Sequence, residues 1–158
     1  MAMRIIIIRV DFMIKSNLER QVESRLREHD IRFTKGRRAV VDVLARASGP
    51  MSAAELDEEL GAEVPLSSIY RTLSVLEDAR VVVHHLGAKG LTRFELAEWL
   101  MGHHHHLVCI DCGSVSDIDI PSSKEESVRG LVTEIAALAS FSATDHALEI
   151  EGRCARCA

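Results

Sequence analysis

Four cysteines stand in two identical pairs, Cys109-x-x-Cys112 and Cys154-x-x-Cys157, with 41 residues between them. A fold for this chain either brings two distant knuckles together or leaves two separate redox pairs. Two C-x-x-C knuckles supply four thiolates, which is the donor set that tetrahedral structural zinc takes. The N-terminal stretch lacks the long apolar run and small-residue cleavage site of a signal peptide, so disulfide scaffolding is less expected than metal binding. A redox disulfide pair is the other reading, and a second knuckle of the same spacing argues against it.

Just upstream of the first knuckle lie four consecutive histidines, His103 to His106. A purification tag is an alternative, but tags sit at termini. Side chains alternate along an extended strand, so His103 and His105 point one way while His104 and His106 point the other. One run can therefore serve two metal sites; the plainer alternative is that one face binds metal and the other is solvated.

The rest of the chain sets the frame for these groups. A length of 158 residues suits one medium domain or two small ones, and 47% hydrophobic with 27% charged residues fits a soluble globular protein. No apolar run approaches the ~20 residues of a membrane span, so a cytoplasmic protein with no membrane partner is expected. The opening "MAMRIIIIRVDFMIKSN" is set aside as an N-terminal extension, residues 1–15. Met13 as the natural start and a real edge strand are its two readings. Charge divides the remainder: residues 98–158 carry a net −6 and residues 1–97 a net +1. Only the N-terminal half suits a polyanion.

Apolar spacing predicts a succession of helices in that half. Leu18, Val22 and Leu26 mark the first, and Thr34 can cap a second running through Leu44 to a Gly49-Pro50 stop. Ser52 and Glu55 have capping-box spacing and open a third. The stretch "PLSSIYRTLSVLEDA" sets Ile69, Leu73 and Leu76 on one stripe and leaves Ser67, Ser68, Tyr70, Arg71 and Ser74 off it. The β-rich runs "VVVHHL" and "LTRFEL" follow, joined by "GAKG". Helices and then a hairpin are the layout of a winged helix-turn-helix, whose second turn helix enters the major groove; a small helical domain with a solvated polar face is the alternative. Beyond residue 97, "HHLVCI" and "SVSDIDI" are strand candidates around the first knuckle. Val128, Leu131, Val132 and Ile135 mark a helix, and "HALEIEG" alternates as a strand. The expected fold class is α+β: a winged helix-turn-helix over 16–97, then a small α/β dimerisation and metal-binding domain over 98–158 with a four-cysteine zinc site.

The string "LSSIYRTLSVLEDARVV", then "RFEL", "HHHHLVCIDCG" and the terminal "GRCARC" resembles the ferric uptake regulator family of bacterial metal-dependent repressors, over roughly residues 17 to 157. The resemblance implies a homodimer that binds double-stranded operator DNA when loaded with metal. It implies a sensing site of Glu95, His104, His106 and Asp117, and a second inner site of His103, His105, His146 and an acid near Glu125. A histidine at position 105, often an aspartate in the family, makes the inner site more nitrogen-rich and tilts it toward zinc or nickel. Many members supply a histidine ligand just ahead of the third helix, where this chain has Pro50-Met51; His84 or His85 is the candidate replacement. The implied cofactors are structural Zn(2+) and a regulatory Fe(2+) or Zn(2+), with Mn(2+) and Ni(2+) also compatible with mixed nitrogen and oxygen donors.

Candidate DNA contacts are Lys35, Arg37 and Arg38 at the start of the second helix, Ser67, Ser68, Tyr70 and Arg71 on the recognition helix, and Lys89 in the wing. Arg71 and Ser67 are the candidate base readers, and the others position the backbone. The competing functions are a zinc-dependent hydrolase and a metal-storage or delivery protein. A hydrolase wants a motif such as H-E-x-x-H, which is absent, and a storage protein has no use for a recognition helix.

Overall fold

The structure, a computed structural model, describes residues 16–87 and 90–158. The N-terminal extension and Lys89 lie outside the described residues. The chain divides into two compact units, one comprising residues up to Leu86 with Thr92–Gly102, the other Gly87–Leu91 with His103–Ala158.

In the first unit, α1 (16–28) places Val22 and Leu26 in the core, with Leu18 packed against it. Thr34 caps α2 (Lys35–Arg46) by accepting from the Arg37 N–H, and the helix runs two residues past Leu44 before ending ahead of Gly49-Pro50. Ser52 and Glu55 form a reciprocal capping box at the start of α3 (Ala53–Leu60), each satisfying a backbone N–H that helix geometry leaves open. In α4 (Leu66–Asp78) the apolar stripe Ile69, Leu73 and Leu76 is buried together with Thr72. Arg80 then adopts φ 56°, and the Val81 N–H returns to the Leu76 carbonyl, which turns the chain into the hairpin.

That hairpin pairs β1 (Val82–Leu86) antiparallel to β2 (Thr92–Leu96), Val82 opposite Leu96. Met51 adds a single bridge to Phe94 on the far edge of β2, through main-chain bonds of 2.9 and 2.7 Å. This ties the α2–α3 connection to the wing. A short α5 (Glu98–Met101) follows; the Trp99 indole donates to the Arg80 carbonyl at 2.8 Å, under the Arg25 guanidinium.

One ion pair fixes the wing to the helical layer. Arg93 on β2 is 5% exposed, and its guanidinium meets both oxygens of Glu55 at 2.8 and 3.2 Å and the Pro50 carbonyl at 2.9 Å. The same Glu55 carboxylate closes the capping box, so one side chain serves the helix start and the buried cation. Burial alone would raise the Glu55 carboxyl. The Ser52 backbone N–H and hydroxyl, and then Arg93, outweigh it and hold the group below its ordinary 4.5.

The second unit is a three-stranded sheet of order β4-β3-β5. In it β3 (His105–Cys109) runs antiparallel to β4 (Val115–Ile118) and parallel to β5 (Glu149–Gly152). The parallel partner needs a crossover, which α6 (Ser122–Leu138) supplies. The predicted apolar stripe of this helix is split. Val128 and Val132 are half-buried in line with buried Ala136, whereas Leu131, Ile135 and Leu138 are 56, 57 and 89% exposed. A helix lying on a small sheet covers only one stripe, and the second has no cover within the described chain. Among the described residues from 103 onward, the buried apolar set is Val108, Cys109, Val115 and Ala136.

Replacing Glu55 with alanine should destabilise the first unit by about 2 kcal/mol, combining a lost cap with a buried guanidinium left half-paired; partial exposure of the carboxylate keeps the loss below the full buried-pair figure. Because the folded-state value is lowered, the stabilisation from Glu55 is present above about pH 4.5 and is lost as pH falls through the lowered value. Urea unfolding of wild type and E55A should therefore differ at pH 7 and converge in strong acid; equal stability at pH 7 would contradict the linkage.

Candidate metal centres

The cysteine knuckles converge at one end of the sheet. Cys109 ends β3, Cys112 lies in the turn to β4, and Cys154 and Cys157 follow β5; one ligand atom from each lies within 4.8 Å of the others. Cys112 Sγ and Cys154 Sγ are 3.8 Å apart, with all four thiols free. Two sulfurs bound to one tetrahedral zinc at ~2.3 Å stand about 3.8 Å apart, against ~2.05 Å in a disulfide. Backbone N–H groups of Cys112 and Cys154 hold the Cys109 thiol down to about 6, whereas contact with the Cys154 and Cys112 sulfurs pushes Cys157 up to about 12. Four thiolates so close repel one another unless a cation lies among them. Sulfur donors in this arrangement fit zinc. The knuckles are also tied across by Arg153 to Asp111 at 3.1 Å.

At the opposite end of β3 the histidines divide by face. His103 and His105 turn toward α6 and the segment before β5, where they meet Glu125 and His146; one ligand atom from each of the four lies within 4.8 Å of the others. Glu125 Oε2 is 2.8 Å from His105 Nε2, and its Oε1 lies 3.6 Å from His103 Nε2 and 3.3 Å from His146 Nε2. His105 is 2% exposed. The His105 hydrogen bond holds the Glu125 carboxyl below its ordinary value, against the opposing pull of burial and with help from Arg129. His146 Nε2 and His105 Nδ1 are buried without a hydrogen-bond partner, an arrangement that costs free energy unless a further group satisfies them. Three imidazoles and one carboxylate with buried lone pairs directed inward fit a metal cation.

On the other face, His104 and His106 have ring centroids 5.2 Å apart and lie 3.9 and 3.6 Å from Asp117 Oδ1 on β4, which pairs with His106 in register. Glu95 belongs to the first unit, where His85 Nε2 is 2.6 Å from its Oε1. The two wing histidines differ in surroundings. His85 faces Glu95 across the hairpin, while His84 on the other face is bonded to Glu77 at the end of α4.

The α4 surface leaves Ser67, Tyr70, Arg71 and Ser74 exposed and Ser68 half-buried, with Tyr70 57% exposed. Lys35 is exposed at the start of α2. Arg37 donates to the Arg32 carbonyl. Arg38 stacks over the Phe33 ring at 4.1 Å and pairs with Glu19 at 3.6 Å and Glu23 at 3.4 Å. The two glutamates come from α1 and are invisible in the local sequence. Glu77, paired with His84, and Glu55, paired with Arg93, were likewise not singled out as partners by sequence spacing.

Comparison with known proteins gives a consistent result. The model of the ferric uptake regulator family matches residues 28–151. The ferric uptake regulation protein of Shigella flexneri is 33% identical over 134 residues, covering 82% of this chain and 86% of the relative. A structure of the ferric uptake regulator from Pseudomonas aeruginosa with manganese is 30% identical, covers 84% of this chain and 97% of that one, and superposes with a TM-score of 0.61. The Helicobacter pylori ferric uptake regulator, a structure with three functional metal binding sites, shares the fold at 21% identity and a TM-score of 0.73, covering 90% of this chain and 93% of that one.

Substituting Cys109 or Cys154 with serine should remove one tightly held zinc per chain and unfold the second unit, because structural zinc carries folding free energy. Metal analysis of untagged protein with circular dichroism checks this; a stably folded, zinc-depleted second unit in either variant would exclude a structural role.

Proposed function

Because the chain belongs to the ferric uptake regulator family, we propose that it is a metal-responsive transcriptional repressor whose residues 16–97 bind double-stranded operator DNA and whose residues 98–158 dimerise and hold metal. The family is one of transcription regulators, so the hydrolase and storage readings fall away. The observation that carries the proposal is the position of the histidine run. The first unit ends at Gly102 and the second resumes at His103, so the ligand run starts at the boundary between them.

The regulatory ion is held by His104, His106 and Asp117 of the second unit, and the family resemblance implies Glu95 as a further ligand. An ion shared in that way favours one placement of the DNA-binding units, and by its differential affinity it shifts the population toward that placement. The opposite histidine face, His103 and His105 with Glu125 and His146, holds a second ion, and the four cysteines hold structural zinc. Nitrogen and oxygen donors accept Fe(2+), Zn(2+), Mn(2+) or Ni(2+), and affinity order alone does not choose among them.

Operator contact runs through α4. Its exposed Ser67 and Arg71 support major-groove reading, with Ser68, Tyr70, Lys35 and Lys89 positioning the backbone. Arg37 and Arg38 are engaged within the chain and would join the phosphate contacts by exchanging those partners. Homodimerisation is supported by the uncovered Leu131, Ile135 and Leu138 stripe of α6. No described helix is long and apolar enough to cross a membrane, and a repressor of this kind acts in the cytoplasm, where its operator lies.

The test is operator binding across titrations of the four metals, with metal per chain measured in parallel. Arg71→Ala should weaken binding by roughly 1–3 kcal/mol at unchanged metal content. The double change of His104 and His106 to alanine should abolish metal-dependent binding while zinc at the cysteines remains. The double change of His103 and His105 should instead lower metal content or dimer stability and leave part of the response. Identical losses from the two doubles in every assay would overturn the two-site reading, and DNA binding indifferent to all four metals would overturn the repressor.

A further inference from the structure

The wing is attached to the helical layer at two places along β2. At its base, Val82 and Leu96 lie in the same buried core as Leu56, Ile69 and Leu73, so apolar packing holds that end. About 10 Å farther out along the strand, β2 is held again, this time by polar groups at the start of α3. The Arg93 guanidinium meets the Glu55 carboxylate and the Pro50 carbonyl, and Phe94 exchanges main-chain bonds with Met51. Glu95 stands between the two attachments, buried and bonded to His85 on the paired strand.

The ion pair at the outer attachment is an uneven one. Arg93 is buried and its Nε has no hydrogen-bond partner, whereas Glu55 keeps contact with solvent. A buried guanidinium with an orphaned N–H is a poor source of stability, since an apolar side chain of similar volume often serves as well. Its contribution is direction, because a carboxylate and a carbonyl accept its fork in one orientation. An apolar contact at one point lets a hairpin tilt about that point, and a second, directional attachment removes the tilt. The direct link from the wing to α4, His84 to Glu77, is exposed on both sides and adds little. By contrast α3 shares its core with α4, Leu56 and Leu60 lying in one cluster with Ile69 and Leu73.

We propose that Arg93 and Glu55 are positioning residues that carry the metal signal to the DNA-binding face. An ion that takes Glu95 as a ligand fixes the wing, and the ion pair passes that placement to α3 and so to α4. This rests on the repressor reading, with Glu95 at the regulatory ion and α4 on the operator. Without the pair, the wing answers the ion by tilting about its apolar base while α4 keeps its former freedom. The ion still binds, but operator affinity no longer follows it.

Arg93→Met fills the buried volume without a donor and leaves Glu55 solvated and capping α3. Glu55→Gln removes the charge and keeps an acceptor for the Ser52 cap. Both full-length variants should stay folded by circular dichroism and hold wild-type metal per chain. An operator duplex is selected from random-sequence DNA by the metal-loaded wild type, and its affinity is measured with and without Fe(II), Zn(II), Mn(II) and Ni(II). Both variants should match wild type within about 2-fold in the absence of added metal, and lose about 10-fold or more of the gain that metal confers. The gain in metal affinity on adding operator should shrink by the same factor, because such coupling is reciprocal. Arg93→Lys, which keeps the charge and one contact, should recover part of the gain. A full metal response in both variants overturns the inference, as does an equal loss of operator affinity with and without metal, which a merely structural pair would give. A wild type that selects no duplex under any of the four metals overturns the repressor reading itself.

Discussion

The second unit has almost no apolar interior, and its architecture answers to that shortage. The small apolar set of Val108, Cys109, Val115 and Ala136 cannot offset the conformational entropy of ordering residues 103–158. The interior positions that a larger domain would give to leucine are taken here by His105, His106 and Cys109. Metal ligands therefore do what a core does elsewhere. On the proposed reading the unit gains its order when its thiolates and imidazoles share cations, and the exposed stripe of α6 provides the apolar area that a second copy would cover.

The winged unit solves the same problem by ordinary means. Its core runs from Val22 and Leu26 on α1 through Ile69, Leu73 and Leu76 on α4 to Val82 and Leu96 on the wing. With that packing in place, the opposite face of α4 is free to carry Tyr70, Arg71 and Ser74 in solvent. Arg93 and Glu55 add direction more than strength. A buried guanidinium with two specific acceptors admits one docking of the wing on α3, whereas apolar contacts alone would tolerate several.

Features fixed by local chemistry were legible from the residues. The Thr34 cap, the Ser52–Glu55 box and the stripe of α4 depend on spacings of three and four residues, and each appears where spacing put it. The parting of His103 and His105 from His104 and His106 follows from strand alternation alone, although His103 and His104 lie just outside β3. What spacing did not reveal depends on distance along the chain. The Arg93–Glu55 pair joins residues 38 apart, the Met51–Phe94 bridge leaves no strand-length pattern, and the ion pairs of Arg38 come from α1. The split of the α6 stripe was hidden for another reason: periodicity reports that a face is apolar, and it does not report what covers that face.

A sheet fastened by ligands at its two ends also distributes mutational tolerance unevenly. The four exposed residues of β5 contribute main-chain bonds and bury no side chain, so most replacements there that keep an extended backbone should cost within about 0.5 kcal/mol. On the proposed reading each histidine or cysteine at the ends has no such latitude, since an ion would fix donor atom, reach and direction together. Such a unit can drift widely in sequence while its outline persists, with its identity concentrated in a handful of ligand positions.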